Sequence, residues 1–228
     1  MPELFDAYGT SYGAAVQSSI DFAGLPHSFF MQAKAELLRA LIGERLRGRD
    51  KPAMLDVGCG VGTFHPYVRG LVRRLHGVDV SGESIARARS ANPGVEYDVF
   101  DGKTFPCADA GFDLVTAICV LHHVPPAGWG EFVREMRRAA KPGGLVCIIE
   151  HNPFNPLTRL AVARCEFDRD AVLLPATQAR RLLAQAGVRD VEARHFLLMP
   201  WATDLSRRIE SAFRRVPLGA QYVAFGNA

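Results

Sequence analysis

The sequence lacks any uninterrupted apolar run of about eighteen residues, so it predicts no helix that spans a membrane. Its first residues also lack the basic stretch followed by an apolar one that marks a secretory signal peptide. The net charge is small, +3 over 228 residues, and gives no argument for nucleic acid or an anionic membrane as a partner. These absences predict a cytoplasmic protein with no nucleic-acid partner and no membrane span.

Paired cysteines and clustered acids are missing as well. The five cysteines are odd in number and form no Cys-x-x-Cys pair, which excludes a disulfide framework and a cysteine zinc site. We expect most of them to be small buried residues in a reducing compartment. The acidic residues are scattered along the chain, whereas a divalent-cation site needs a cluster of them. No metal is therefore predicted.

Short apolar strands alternate with helices along the chain. Strands are predicted at Ala53–Val57, Leu75–Val80, Val95–Phe100, Phe112–Cys119, Gly144–Ile149, Val188–Leu198 and Gln221–Phe225. Helices are predicted at Ser28–Arg47 with Ser28 as cap, after Ser81, at Gly130–Ala140, after Asn155, at Thr177–Ala186 and at Thr203–Val216. This alternation favours a parallel sheet covered on both faces. No repeat or composition break divides the chain, so 1–228 is predicted to be one domain.

The run LDVGCGVG, residues 55–62, is the most informative stretch. Glycines directly after a strand allow a sharp turn into a helix and a close approach of the backbone to a ligand. The spacing of Gly58, Gly60 and Gly62 differs from the G-x-G-x-x-G of nicotinamide-binding proteins, and the lysine of a Walker A loop is absent. Asp56 would repel a pyrophosphate and suits a ligand that carries an ammonium group.

Four linked pieces resemble the class I S-adenosylmethionine-dependent methyltransferases, in particular their small-molecule (methyltransferase type 11-like) branch. They are LDVGCGVG, GVDVS, the run from Asp101 to Asp113, and LHHV before AKPGG, all within Ala53–Ile149. Each follows the carboxyl end of a predicted strand, the edge at which open parallel sheets bind ligands. The resemblance implies a Rossmann-like, doubly wound, seven-stranded sheet, mostly parallel, with an antiparallel last strand and a helical insertion before it. It also implies S-adenosylmethionine as cofactor and a small-molecule acceptor.

The resemblance further implies a cofactor site. Its residues would be Asp56, Gly58, Gly60, Asp79, Val80, Asp101, Gly102, Ile118, Cys119 and Tyr12. Asp79 would accept from the ribose hydroxyls and Asp101 from the adenine amino group, with Val80 against the adenine. The glycines would lie under the methionine portion, whose ammonium meets Asp56 and the backbone at Ile118 and Cys119, and whose carboxylate meets Tyr12. The sequence leaves two simpler alternatives open: Asp79 is an ordinary helix cap, and Asp101 is an acidic residue of a turn.

Two histidines are predicted as alternative general bases. His122 follows the fourth strand and His151 the fifth, at the edge where the transferred methyl group must point. An acceptor hydroxyl is a poor nucleophile until it loses its proton, and an imidazole suits that task at neutral pH. In the alternative interpretations, the two histidines only shape their loops and Asn155 only caps a helix. An acceptor whose nucleophile is an amine or an activated carbon would need positioning alone and no general base.

The predicted divisions of the domain are a lid at 1–50, a cofactor core at 51–150 and acceptor-side insertions at 151–228. The lid prediction uses six aromatic residues, Phe5, Tyr8, Tyr12, Phe22, Phe29 and Phe30, which ordinary packing also explains. The late arginines, Arg207, Arg208, Arg214 and Arg215, form a solvated face or a surface for an anionic acceptor or a partner subunit, and a homo-oligomer is compatible with the sequence. Rival functions are an RNA or protein methyltransferase, a relative that binds the cofactor for another reaction, and a non-enzymatic binding protein.

Overall fold

Seven strands form one mixed sheet in the computed structural model, which describes residues 17–48, 51–198, 213 and 216–228. The strands are Ala53–Val57 (β1), Arg74–Asp79 (β2), Glu96–Val99 (β3), Phe112–Ile118 (β4), Ala140–His151 (β5), Arg189–Phe196 (β6) and Gln221–Asn227 (β7). Their order is β3-β2-β1-β4-β5-β7-β6. The first five pair in parallel, and β7 is antiparallel to both of its neighbours. The predicted doubly wound sheet with an antiparallel last strand is confirmed.

Helices flank this sheet. They are His27–Arg45 (α1), His65–Val68 (α2), Gly82–Ala91 (α3), Trp129–Ala139 (α4), Pro156–Arg164 (α5) and Ala176–Gln185 (α6). Two 3₁₀ turns, Leu121–His123 and Glu166–Asp168, carry side chains of the site described below. Within the described ranges no helix has both the length and the apolarity needed to cross a bilayer. The predicted insertion helix at Thr203–Val216 lies almost entirely outside the described residues, as do the late arginines.

The two faces of the sheet have separate cores. Met54 of β1 packs with Leu38 and Leu41 of α1 on one face. The next residue, Leu55, packs with Met136 of α4 in the cluster on the other face. All five residues of β1 are buried because alternate side chains of a strand point to opposite faces and both faces are covered.

Two predicted boundaries are wrong. Ser28 does not cap α1, which begins at His27 after Pro26 without a side-chain cap. The fixed φ of Pro26, −72°, leads directly into the helix and leaves Ser28 inside the first turn. β5 begins at Ala140 rather than Gly144, because Ala140 pairs with Phe112 and the ladder resumes at Leu145 opposite Leu114. The intervening Pro-Gly segment is therefore an irregularity within the strand.

Asp113 joins the amino ends of several strands. Its Oδ2 accepts from the backbone N–H of Ala53 at 3.0 Å and from Arg73 at 3.2 Å, and its Oδ1 accepts from Nζ of Lys141 at 3.1 Å. Burial opposes ionisation of this carboxyl, but these hydrogen bonds outweigh it and lower its pKa. The carboxylate thus ties β1, β4 and β5 together at the edge opposite the site.

We expect Asp113→Asn to lower the free energy of unfolding by about 1.5–3 kcal/mol at neutral pH, the usual value of a hydrogen bond to a charged group. Since the folded-state pKa is lowered, this stabilisation is present above the unfolded pKa of about 3.9 and is lost as the pH falls through the folded value. Urea unfolding at several pH values measures it. Asp109→Asn is the matched control, since Asp109 is 79% exposed, and should stay within about 0.5 kcal/mol of wild type. Equal stability of wild type and Asp113→Asn at pH 7 would show that the hydrogen bonds of the Asp113 carboxylate do not stabilise the fold.

Candidate active site

One cavity of about 780 Å³ lies at the carboxyl edge of the parallel strands. Its lining includes nine of the ten predicted cofactor residues, Asp56, Gly58, Gly60, Asp79, Val80, Asp101, Gly102, Ile118 and Cys119, and both predicted bases, His122 and His151. Tyr12 lies outside the described residues. Of the aromatic residues assigned to the lid, Phe22, Phe29 and Phe30 line the cavity. The volume is that of a pocket for a small organic ligand.

The glycine loop after β1 presents its backbone to this cavity. Gly58 has φ +72°, and a Cβ there would lie 2.5 Å from Cγ2 of Val120. Gly60 has φ +53°, and a Cβ there would meet nothing within 4 Å, so the loop faces open space at this position. Backbone N–H groups of Gly58 and Cys59 donate to the carbonyl of Val78 in β2. The loop is therefore fixed while its surface stays bare enough for close approach of a ligand.

Asp56 is a buried carboxylate at the base of the loop. Its Oδ1 accepts from the hydroxyl of Thr116 at 2.7 Å, and its Oδ2 lies 3.1 Å from Nε2 of His65. The other ring nitrogen of His65 lies 2.5 Å from the hydroxyl of Tyr97. This network joins β1, β3, β4 and α2, and the contact of Asp56 with a ligand ammonium stays a prediction.

Two further acids stand on the cavity wall. Oδ2 of Asp79 accepts from the N–H of Gly60 at 2.8 Å, and its Oδ1 accepts from the N–H of Ser81 at 2.9 Å. Burial raises the pKa of Asp79, against the effect of these hydrogen bonds. A carboxylate can accept about four hydrogen bonds, so Asp79 has capacity left for a ligand. Asp101 is exposed, and its Oδ1 accepts from two backbone N–H groups, which lower its pKa.

Cys119 directly follows β4 and has a left-handed backbone conformation, with φ +56°. Its Sγ lies 3.7 Å from Nζ of Lys34, a buried lysine of α1, and 3.6 Å from Nε2 of Gln221 at the start of β7. Burial would raise the pKa of this thiol, but the charges of Lys34 and His151 lower it to about 7. The oxygen of the Gln221 amide, Oε1, is buried without a hydrogen-bond partner among the described residues. The surroundings of Cys119 are therefore polar, whereas the sequence predicts that most of the cysteines are small buried residues.

Glu150 holds the loop that follows β4. Its Oε1 accepts from the backbone N–H groups of Val120 and Leu121 at 2.9 and 2.7 Å, and its Oε2 accepts from Nδ1 of His122 at 2.6 Å. Nε2 of His122 faces Asp168 at 3.4 Å. Glu150 and Asp168 raise the pKa of His122 despite its burial. Both ring nitrogens of His122 therefore face carboxylates.

His123 and His151 line the cavity beside His122. Burial and the neighbouring His122 lower the pKa of His123 to about 4, so its imidazole is neutral at physiological pH. Nδ1 of His151 lies 3.4 Å from the side-chain nitrogen of Gln221. The ring of His151 is 5.2 Å from that of His122, measured between centroids. The two predicted bases are therefore neighbours in one wall of the cavity.

Residues 55–148 match the family model of the methyltransferase domain. The matched residues begin within β1 and end within β5, so they contain the glycine loop and the carboxyl ends of β2, β3 and β4 but not His151. This match, over less than half of the chain, makes the chain similar to the class I S-adenosylmethionine-dependent methyltransferases. The family resemblance in the sequence is thereby confirmed.

This chain has relatives whose names specify different methyl-accepting atoms. It is 30% identical to a malonyl-[acyl-carrier protein] O-methyltransferase of Pseudescherichia vulneris over 61% of this chain and 51% of that protein. It is 33% identical to a norajmaline N-methyltransferase of Rauvolfia serpentina over 43% of this chain and 35% of that protein. The matched segments thus span about half or less of these two relatives.

The fold extends beyond the matched segment. A crystal structure of an S-adenosylmethionine-dependent methyltransferase from Thermotoga maritima superposes on 100% of this chain and 99% of its own, with a TM-score of 0.71 and 17% sequence identity. At that identity the comparison establishes the fold of this chain and nothing about its activity or acceptor.

Sequence reasoning missed Lys34, His65, Asp168 and Gln221 as site residues. Lys34 had a detectable signal, since it occurs at helical spacing between Met31 and Leu38, on the apolar face of α1. Asp168 and Gln221 had none, because only the folded chain brings them to the cavity.

Iodoacetamide at pH 7 is expected to label Cys119 before the other four cysteines. The thiolate is the reactive form, and burial raises the pKa of each of the others. Lys34→Met removes the nearby positive charge and raises the pKa of Cys119, so its labelling at pH 7 should slow several-fold. Part of the loss is offset because a more basic thiolate is a better nucleophile. Peptide mass spectrometry measures the labelling, and Cys119→Ser identifies the peptide. Faster labelling of Cys107 in the wild type would contradict the expectation.

Proposed function

We propose that this chain transfers the methyl group of S-adenosylmethionine to an oxygen of a small-molecule acceptor. The observation that carries the proposal is that a single cavity joins two sets of side chains. The glycine loop follows β1, Asp79 ends β2 and Asp101 follows β3, whereas His123 follows β4, His151 ends β5 and Asp168 stands in the turn after α5. A cofactor and an acceptor that fill the two halves would meet inside one cavity. The cytoplasmic location stays a prediction from the sequence.

The first half fits the proposed cofactor. The bare backbone at Gly60 gives room for the methionine portion, and the spare acceptor capacity of Asp79 suits two ribose hydroxyls. Oδ1 of Asp101 accepts the hydrogen bonds of the turn, which leaves Oδ2 for an amino group. Val80 and Gly102 lie beside Asp101 on the cavity wall. When bound, the cofactor supplies a methyl group already activated on a sulfonium. The task left to the protein is to align the acceptor and exclude water.

Lys34 is the described residue best suited to the cofactor carboxylate. It is a buried cation on the cavity wall, and its position beside Cys119 puts it next to the strand end assigned to the methionine portion. A buried lysine is stabilised by an anionic partner. Whether Tyr12 shares this role stays a prediction.

The second half suits a small acceptor that is apolar over most of its surface. Leu157, Ala161, Val162 and Phe167 line it as an apolar wall, and the polar groups come from a few histidines and Asp168. Such pockets bind small organic molecules through apolar contact and orient them with a few polar groups. An RNA substrate needs a long positively charged surface, and the net charge of +3 gives no argument for one.

His151 is the proposed general base. It lines the cavity, and among the residues that the structure describes its hydrogen-bond partners include no carboxylate, in contrast to His122, whose two nitrogens face Glu150 and Asp168. A proton leaving an acceptor hydroxyl can therefore be taken by His151 without disrupting the contacts that hold the loop after β4. The prediction that His122 is the base stays a prediction with less geometric support.

Asp79→Asn is expected to weaken binding of S-adenosylhomocysteine at least tenfold, because hydrogen bonds to a charged acceptor are each worth about 1.5–3 kcal/mol and tenfold is about 1.4 kcal/mol. Isothermal titration calorimetry measures this. Asp98→Asn is the matched control, since Asp98 lies on the neighbouring strand β3 outside the cavity. If the wild type bound neither S-adenosylhomocysteine nor S-adenosylmethionine, the proposed function would be wrong.

Incubation with methyl-labelled cofactor and fractionated small-molecule extracts should place label in a metabolite whose new methyl group is on oxygen, as shown by NMR of the product. His151→Ala should then lose at least tenfold in turnover with that acceptor while its affinity for S-adenosylhomocysteine is unchanged, since a positioned base contributes roughly 10²–10⁴-fold. His76→Gln is the control, a buried histidine of β2 outside the cavity. Label in RNA or protein alone would contradict the acceptor class, and full turnover of His151→Ala would exclude its role as base.

A further inference from the structure

Three side chains of metal-binding type meet on the acceptor side of the cavity. His122 and His123 stand in the 3₁₀ turn after β4, and Asp168 stands in the 3₁₀ turn after α5. One oxygen, Oδ1 of Asp168, lies 3.4 Å from Nε2 of His122 and 3.5 Å from Nε2 of His123. One ligand atom from each of the three residues lies within 4.8 Å of the others, and all three residues line the cavity.

These separations fit a shared ion better than hydrogen bonds. An N–H···O hydrogen bond normally spans about 2.7–3.2 Å, which both distances exceed. Two atoms that bind one Zn²⁺ at about 2.0–2.2 Å in tetrahedral geometry lie about 3.3–3.6 Å apart. Both distances to Asp168 fall within that range. Asp168 is thus spaced from each histidine as a shared ligand would be, and the two histidines lie within 4.8 Å of one another through their ligand atoms.

Glu150 orients the first histidine for this role. Its carboxylate accepts from Nδ1 of His122 at 2.6 Å and is itself held by two backbone N–H groups. With the Nδ1 proton committed to Glu150, the lone pair of a neutral His122 is on Nε2, the atom that faces Asp168. A carboxylate behind a histidine is the usual support of a metal-binding imidazole.

We propose that His122, His123 and Asp168 bind a divalent transition-metal ion, with Glu150 as the residue that orients His122. Two imidazoles and one carboxylate favour Zn²⁺ or a similar ion, whereas Mg²⁺ and Ca²⁺ prefer sites made of oxygen atoms alone. Three protein ligands leave coordination positions open toward the cavity. The ion would hold an oxygen of the acceptor there, a consequence that rests on the proposed function. The binding of the ion itself does not rest on it.

This proposal revises the prediction of no metal, which considered clusters of acids in the sequence. Only one acid takes part, and it is 46 residues from His122 in the chain. The competing arrangement has no ion and consists of a protonated His122 held between Glu150 and Asp168.

The test is a titration of chelator-treated, full-length protein with ZnCl₂, followed by calorimetry, with the visible absorption of added Co²⁺ as a report on the ligands. We expect one Zn²⁺ per chain. Asp168→Asn and His123→Gln should each weaken binding at least tenfold, and Glu150→Gln roughly 10–100-fold. Asp98→Asn should leave it unchanged, although Asp98 also lies beside a histidine, 2.9 Å from Nε2 of His76.

His123→Gln also guards against a folding artefact, because this side chain is 20% exposed and its replacement is tolerated more easily than that of His122. Circular dichroism checks each variant. No zinc binding by the wild type, or equal binding by Asp168→Asn, would overturn the proposal in favour of the protonated histidine. S-adenosylhomocysteine affinity is measured in the same samples. Cofactor binding without zinc binding rejects the ion alone, and zinc binding without cofactor binding rejects the proposed function alone.

Discussion

Parallel pairing of β1 with both β2 and β4 is the constraint on which the site depends. The chain leaves β1 toward β2 and later returns on the other side of β1 through β4. Loops that leave these neighbouring strands in opposite directions open a crevice at the carboxyl edge of the sheet. The glycine loop, Asp79 and the turn after β4 all stand at this edge, so their meeting is a property of the strand order before it is a property of any side chain.

Two buried carboxylates then convert strand order into fixed loops. A carboxylate without hydrogen bonds is costly to bury, so each must keep its donors. The donors of Asp56 are Thr116 and His65, and those of Glu150 include two backbone N–H groups after β4. Asp56 ties β1 to β4 and α2, whereas Glu150 of β5 accepts from the loop after β4, so that loop would lose buried hydrogen bonds if it moved.

The sequence was sufficient for what depends on neighbours along the chain. The strand alternation, the glycine loop, Asp79 and Asp101 were predictable because strand ends and tight turns carry local signals. Contacts between distant segments had no such signal. The partners of Cys119 are 85 residues before it, at Lys34, and 102 residues after it, at Gln221. The β5 boundary failed for a similar reason, since Ala140 belongs to the strand only through its pairing with Phe112.

The reversed direction of β7 has a consequence for how such a protein can change. Because β7 runs against β5, its first residue, Gln221, pairs with His151 at the cavity, and the chain segment between β6 and β7 enters and leaves beside the acceptor half. The cofactor half is built from residues that precede β5. Under the proposed function, insertions and deletions between β6 and β7 would alter acceptor preference during evolution while the residues proposed for the cofactor are inherited intact. A gene of this architecture would then diversify its substrates by varying one connection.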